Sequence, residues 1–283
     1  RIGALLTTDT VPSPVLSAEL HAHSKLSYDG RDSIELLIEQ AAAVGLDALA
    51  ITDHDEIEAS LRAVDRASEY GILGIPGMEV SSAAGHVLAL GVTEAVPPGR
   101  SFEETLALIR EQGGVAVVPH PFQESRHGVM ANIDRETLAT ADAIEVYNSW
   151  AFTGWKNRRA RRYANAYGYP GVAGSDAHKV GYVGRAYTQM ELDGLRRADL
   201  TADVVLDAIR DGATRVEGRR TPIPTSARHY AGAGARKSSL YARYGAYKSG
   251  TLAKAGAYRS GALAKTGAIE AARMLYRVSP LSG

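Results

Sequence analysis

The sequence predicts an α/β protein: a parallel sheet closed into a barrel of the TIM type, or a distorted relative of one. Two observations predict it. Short apolar runs alternate with segments of helical spacing over most of the first 215 residues, and the number of such units suits a barrel. Histidines and carboxylates also recur just after the apolar runs, where barrels of this kind gather their chemistry.

Taken in order, residues 15 to 20 read as a strand. Residues 33 to 44 have helical spacing through Ile34, Leu37, Ile38 and Ala41, with Asp32 or Ser33 as N-cap and Gly45 at the stop. Residues 47 to 52 form a short apolar strand, 57 to 70 a helix, 72 to 80 a strand and 86 to 92 another. Ser101 caps a helix running to Gln112, Gly113 and Gly114 end it, and 115 to 118 is a buried strand. A short helix over 134 to 140, a strand over 143 to 147, a basic helix over 156 to 167 and a strand over 171 to 173 follow. A strand over 188 to 192 and a helix over 201 to 211 complete the body.

The 283 residues are 45% hydrophobic, enough for one large domain with an appendage. The formal charge is zero but unevenly placed: from Arg228 onward there are ten Lys/Arg and one acid, leaving residues 1 to 227 net −9 and the tail net +9. With no cysteine, any metal must be held by imidazole and carboxylate. The absence of a run of about 18 apolar residues, and of a signal-peptide layout, predicts a soluble cytoplasmic protein without a transmembrane segment. The chain opens at Arg1 rather than Met, which predicts a few preceding residues.

Residues after the strands form a set. They are His21 and His23, then Asp53, His54 and Asp55, then Glu79, His120, Glu145 with Asn148, and Asp176 with His178. His86 alone sits near a strand's start, and of the eight histidines His127 and His229 fall outside the ring. His21 and His23, two residues apart in an extended segment, leave it on one side as a chelating pair would. Singly, each histidine reads as a hydrogen-bonded buried residue. Together they suit a cluster of borderline divalent metals, Zn, Mn or Fe, in which a carboxylate bridges two ions.

The ordered motifs carry a resemblance. His21-Ala-His23 with Ser27-Tyr-Asp29-Gly, Ile51-Thr-Asp-His54, Gly77-Met-Glu79-Val, Pro119-His120-Pro and Gly174-Ser-Asp176-Ala-His178 together resemble the PHP (polymerase and histidinol phosphatase) family over roughly residues 17 to 215. The resemblance implies a distorted seven-stranded barrel, up to three metals and phosphoester hydrolysis. It places His21, His23, Glu79 and Asp176 on one metal, Glu79, His120 and His86 on a second, and Asp29, His54 and His178 on a third. Relative to the commoner Ser-Asp-Gly form, Tyr28 is inserted before Asp29, and His86 occupies a position that contacts metal or phosphate.

Glu79, His54 and His178 are thus the expected catalytic residues, acting with a hydroxide that two metals generate near neutral pH. Arg126, His127 and Arg185 are candidates for substrate contact. Glu145 and Asn148 either hydrogen-bond a ligand imidazole or touch substrate. Asp53 is a candidate for orienting a ligand, and Asp55 for capping the helix near Ile57. Lys25 and Tyr28 read as plain loop residues, with gating of access as the alternative. Arg158, Arg159, Arg161 and Arg162 read as a solvated helix face, with attraction of a polyanionic substrate as the alternative.

From Ala235 the tail repeats every 11 residues, three times, compatible with a long helix but interrupted by a glycine ending each repeat. It reads as a basic helical extension along the acidic body or a partner, as an arm for nucleic acid or anionic membrane, or as a disordered extension. The leading function is a metal-dependent phosphoesterase acting on a small phosphorylated metabolite or nucleotide with two or three divalent ions. The rivals are a nuclease trimming short nucleic acid ends and a non-catalytic module with a structural metal site.

Overall fold

A computed structural model describes residues 15–151, 154–192, 194–196, 199–222 and 224–225. The repeats of the basic tail and the domain boundary at 227 lie outside these residues. Strand β1 (Val15–Glu19) is followed by α1 (Ile34–Ala43), β2 (Ala48–Ala50), α2 (Glu58–Ala67), β3 (Leu73–Ile75), β4 (Gly77–Ser81) and β5 (His86–Leu90). Then come α3 (Phe102–Glu111), β6 (Val115–Val118), α4 (Arg135–Leu138), β7 (Ala143–Asn148), α5 (Gly154–Tyr167), β8 (Gly171–Gly174), β9 (Ala186–Glu191), α6 (Ala202–Arg210) and β10 (Thr214–Gly218).

The α/β class is as expected, but a single parallel barrel is not what is found. The strands sort into two mixed five-stranded sheets, ordered β10-β9-β1-β2-β3 and β4-β5-β6-β7-β8. Two local features explain the difference. Pro76 lacks the N–H that would continue a ladder, so the single strand expected over 72 to 80 breaks there, β3 staying with the first sheet and β4 joining the second. The four residues 82–85 then return the chain directly, and such a short link makes β5 antiparallel to β4 and hence to β6. Beyond the ladders, His23 N donates to Ala177 O at 2.8 Å, Thr52 N to Ala22 O at 2.8 Å and Glu79 N to Asp53 O at 3.1 Å. The strand extensions that carry the candidate ligands are thereby paired with one another, across both sheets.

Apolar residues from the two sheets meet in one core: Ala18, Leu20, Ala50 and Ile75 from the first, Leu88, Leu90, Val115, Val117 and Val172 from the second, with Val205 and Ile209 of α6. The opposite faces pack against helices. Leu49 and Ile51 meet α1 and α2, while Ala116, Val118 and Ile144 meet Phe102, Leu106 and Ile109 of α3. Strands buried on both faces read as continuous apolar runs, which is why β2 and β6 show no alternation. Truncating the fully enclosed Phe102 to Ala would cost about 3–5 kcal/mol.

Helix starts follow their caps. Ser33 accepts from Leu36 N, Ser101 forms a capping box with Glu104, Asp134 accepts from Thr137 N and Thr201 from Val204 N. Asp55 does not cap α2: it adopts a left-handed φ of 54° and its carboxylate accepts from Ser81 N at 2.7 Å. Among the described residues, no helix is long and apolar enough to cross a membrane.

Candidate metal centre

Glu79 sits at the centre of the site, fully buried in the middle of β4. Its Oε2 lies 3.3 Å from His21 Nε2, 3.3 Å from His23 Nε2 and 3.2 Å from His54 Nδ1. Its Oε1 lies 2.8 Å from His86 Nδ1 and 3.2 Å from His120 Nε2. One carboxylate therefore presents its two oxygens to two different groups of imidazoles, as a bridging ligand does. His86 reaches this point because the antiparallel turn brings the start of β5 to the same end as the finish of β4, with Ser81 opposite His86.

Around this centre the ligand atoms form four overlapping sets: His23, Asp29, His54 and His178; His21, His23 and Asp176; His21, Glu79 and His120; and His54, Glu79 and His86. His21 and His23 Nε2 stand 3.6 and 3.4 Å from Asp176 Oδ1, and His54 and His178 Nε2 stand 3.3 and 3.0 Å from Asp29 Oδ2. Two ligands about 2.1 Å from a tetrahedral ion are about 3.4 Å apart, so most of these separations suit atoms sharing a cation. Hydrogen bonding satisfies only some of these atoms, such as His178 Nε2 against Asp29 Oδ2. Both ring nitrogens of His23, Nδ1 of His54 and of His86, and Asp176 Oδ1 are buried without a hydrogen-bond partner. The donor set, all imidazole and carboxylate, fits divalent Zn, Mn or Fe.

The supporting atoms set ring orientation. Glu145 Oε1 lies 3.2 Å from His21 Nδ1, which leaves Nε2 to face Glu79 and Asp176, while Glu145 Oε2 accepts from His120 N at 2.8 Å. Asn148 Nδ2 donates to Glu145 Oε2 at 2.8 Å and to Asp176 Oδ2 at 2.9 Å. Residues 145 and 148 would point to opposite faces of a regular strand. A bulge between Glu145 and Tyr147 resets the alternation and brings them together. Gly174 is required beside them, because a Cβ there would lie 2.4 Å from His21 Cβ and 2.7 Å from Glu145 Oε1. His120 and Asp176 adopt left-handed φ values of 32° and 54°, strain that non-glycine residues carry where surrounding contacts impose it.

Electrostatics separates these groups. Burial would raise the Glu79 carboxyl, but His86, His54 and His21 hold it well below its usual range. Burial likewise opposes ionisation of Asp176, and Arg126 and His21 outweigh it. His21 and His23 resist the depressing effect of burial because Asp176 and Glu79 favour their protonated forms, His23 reaching about 10. Burial wins at His54 and at His120, the latter lowered to about 3.

Of the residues expected to contact substrate, Arg126 is buried and pairs through Nη1 with Asp176. His127 is exposed, its ring centroid 5.0 Å from that of His86. Arg185 is not brought into the cluster: its guanidinium lies 5.0 Å from the Tyr182 centroid and donates to Arg220 O at 3.3 Å. Asp53 is buried and accepts from Ser24 N at 2.6 Å and Ser24 Oγ at 2.5 Å, so it anchors the chain just after His23 instead of touching a ring. Tyr28 is more than a loop residue, because its ring stacks on His54 at 4.8 Å and 18°. Lys25 is exposed.

The sequence reading passed over two contributors. Trp150 packs edge-on against His178, centroids 5.7 Å apart. Glu19, fully buried, accepts from three backbone amides, and burial pushes its carboxyl up to about 7. An acid in an apolar strand two residues before the His pair was the available signal.

Comparison with known proteins agrees with this geometry. The PHP domain profile matches residues 19–151, and the profile described as PHP-associated matches residues 154–214. An uncharacterised protein of Methanocaldococcus jannaschii is 32% identical over 155 residues, which is 51% of this chain and 89% of that protein. A phosphoribosyl 1,2-cyclic phosphate 1,2-diphosphodiesterase of Eggerthella lenta is 38% identical over 85 residues, 28% of this chain and 32% of that enzyme. Among solved structures, a two-domain Bacteroides vulgatus protein containing a predicted PHP-like metal-dependent phosphoesterase superposes with a TM-score of 0.61 at 20% identity, over 73% of this chain and 66% of that one. The chain belongs to the PHP domain family.

Proposed function

We propose that this chain is a metal-dependent phosphoric ester hydrolase acting on a small phosphorylated metabolite or nucleotide. The observation that carries the reading is Glu79, a buried carboxylate whose Oε2 faces His21, His23 and His54 and whose Oε1 faces His86 and His120. In this reading His21, His23, Glu79 and Asp176 hold one ion, Glu79, His120 and His86 a second, and Asp29, His54 and His178 a third. Two or three ions, once bound, would acidify a water and neutralise charge on phosphoryl oxygens.

The chain's own groups then have defined tasks. Glu145 holds His21 Nδ1 so that the Nε2 lone pair faces the ligand set. Arg126 balances Asp176 from the side away from the histidines, and His127, exposed beside His86, stands where substrate oxygens approach. Asn148 has its amide committed to Glu145 and Asp176 and its carbonyl to Trp150 N, and so acts on the ligands rather than on substrate.

The test is hydrolysis of phosphorylated metabolites, mononucleotides and short oligonucleotides by protein loaded with Mn or Zn, beside Glu79→Gln. Turnover of a small ester that disappears in the variant is the expected result. Turnover of oligonucleotides alone would point to a nuclease, and silence across the panel with metal bound would leave only a binding role.

A further inference from the structure

Glu19 lies outside every ligand set, yet it is fully buried and accepts backbone amides from two segments that carry ligands and a third that follows them, with the Ser175 side chain as a further partner. Its Oε1 accepts from His21 N at 3.2 Å and from Ser175 N at 2.8 Å. Its Oε2 accepts from Gly184 N at 3.0 Å. One oxygen atom thus ties the backbone bearing His21 and His23 to the backbone bearing Asp176 and His178, across 156 residues of chain. Asp176 N in turn donates to His21 O at 2.7 Å, and Asp176 is one of the residues held at a left-handed φ.

We infer that Glu19 is a positioning residue for the metal set: its carboxylate fixes the spacing between the His21–His23 pair and Asp176 by binding both backbones at one atom. The inference rests on the proposed metal-binding reading of those three residues. The chemistry of the partners makes it specific to a carboxylate. The three backbone partners are N–H donors and the fourth is the Ser175 side chain, so both oxygens are engaged as acceptors. Glutamine keeps the shape but must turn an NH₂ toward at least one N–H, leaving a buried donor unsatisfied. Aspartate keeps the charge but is one methylene shorter, so it cannot reach both sides without moving β1 or the turn at Gly184. No solvent replaces the contacts to His21 and Ser175, since Glu19, His21, Ser175 and Asp176 are all fully buried, whereas Gly184 is half-buried.

The test is Co(II) binding to the full chain, read by the d–d absorption spectrum, for the natural protein, Glu19→Gln and Glu19→Asp, with folding checked by circular dichroism. Glu19→Gln is expected to weaken Co(II) binding about ten- to a hundredfold and to change the shape of the d–d bands, the scale found when supporting partners of metal ligands are removed. Glu19→Asp, which retains the acceptors, should fall between the two. A merely structural clasp would lower the melting temperature and leave the spectrum and affinity of the folded protein as they were. A folded variant of either kind with the natural spectrum and affinity would overturn the inference. Co(II) bound normally by the natural protein with no ester hydrolysed would sink the proposed function while leaving Glu19's role intact. No Co(II) binding by the natural protein would overturn both.

Discussion

The two ends of the parallel strands both carry carboxylates close to the backbone, and they differ in how those carboxylates are satisfied. At the amino ends, Asp47 accepts from Ser17 N at 2.8 Å, and Asp142 accepts from Ala116 N at 2.7 Å and from Arg110 Nη2 at 2.7 Å. Each clasps neighbouring strands. Past the carboxyl ends, Asp29 and Asp176 face imidazoles, as does Glu79 from the middle of the antiparallel β4, and several buried nitrogens and Asp176 Oδ1 lack a hydrogen bond. A buried polar residue whose bonds close within the protein is part of the scaffold. One whose atoms converge without closing their hydrogen bonds is a candidate ligand, and an all-imidazole and carboxylate set of this kind suits a divalent cation.

The largest effect that would test this contrast is at Glu79. Glu79→Ala removes the shared carboxylate from two ligand sets, and phosphoester hydrolysis should fall by about a thousandfold or more, measured as kcat/KM with saturating metal. Asp142→Ala, at the other end, should leave kcat/KM unchanged and lower stability by about 1–2 kcal/mol in urea unfolding, because Ala116 N–H loses its acceptor. Equal losses of activity in the two variants would erase the distinction.

A second effect concerns protons. His23 is raised from 6.5 to about 10 in the cation-free protein, a folded value above the unfolded one. That contribution to stability is complete below about pH 6.5 and is lost as pH rises toward about 10. Metal competes with the same protons, so metal affinity should climb over that window and stability of the loaded protein should not decline in parallel. Calorimetric titration in two buffers of different ionisation enthalpy should show proton release on metal binding at neutral pH. Buffer-independent heats would mean that His21 and His23 are neutral before the metal arrives.

The smallest effect is expected at Arg185, whose guanidinium stacks on Tyr182 away from the cluster. Arg185→Ala should change kcat/KM by less than about threefold and stability by about 0.5 kcal/mol or less. A large loss of kcat/KM at constant stability would place substrate beside Tyr182 and extend the site in that direction.

These residues also show how much was readable beforehand. The rule that chemistry follows strand ends found His21, His23, His54, Glu79, His120, Asp176 and His178, because side-chain type and its place after an apolar run are local properties. His86 broke that rule in the sequence and obeys it in space, since the turn before it reverses the strand's direction. Asn148 and Glu145 were recognised as facing the mouth, but their shared task depends on a bulge that no residue pattern announces. Arg185 carried the right charge in the wrong place.

What the amino-acid order determined by itself was the inventory: alternating α and β segments, helix caps at Ser33, Ser101, Asp134 and Thr201, and a donor set restricted to imidazole and carboxylate. Each follows from preferences acting within a few residues. Only the tertiary structure decided how the strands sort into two mixed sheets once Pro76 breaks the run, that one Glu79 serves two groups of histidines, and that Glu19 joins amides 156 and 165 residues away. A carboxylate's role is set by the donors that reach it, and two of the three amides that reach Glu19 come from more than 150 residues away.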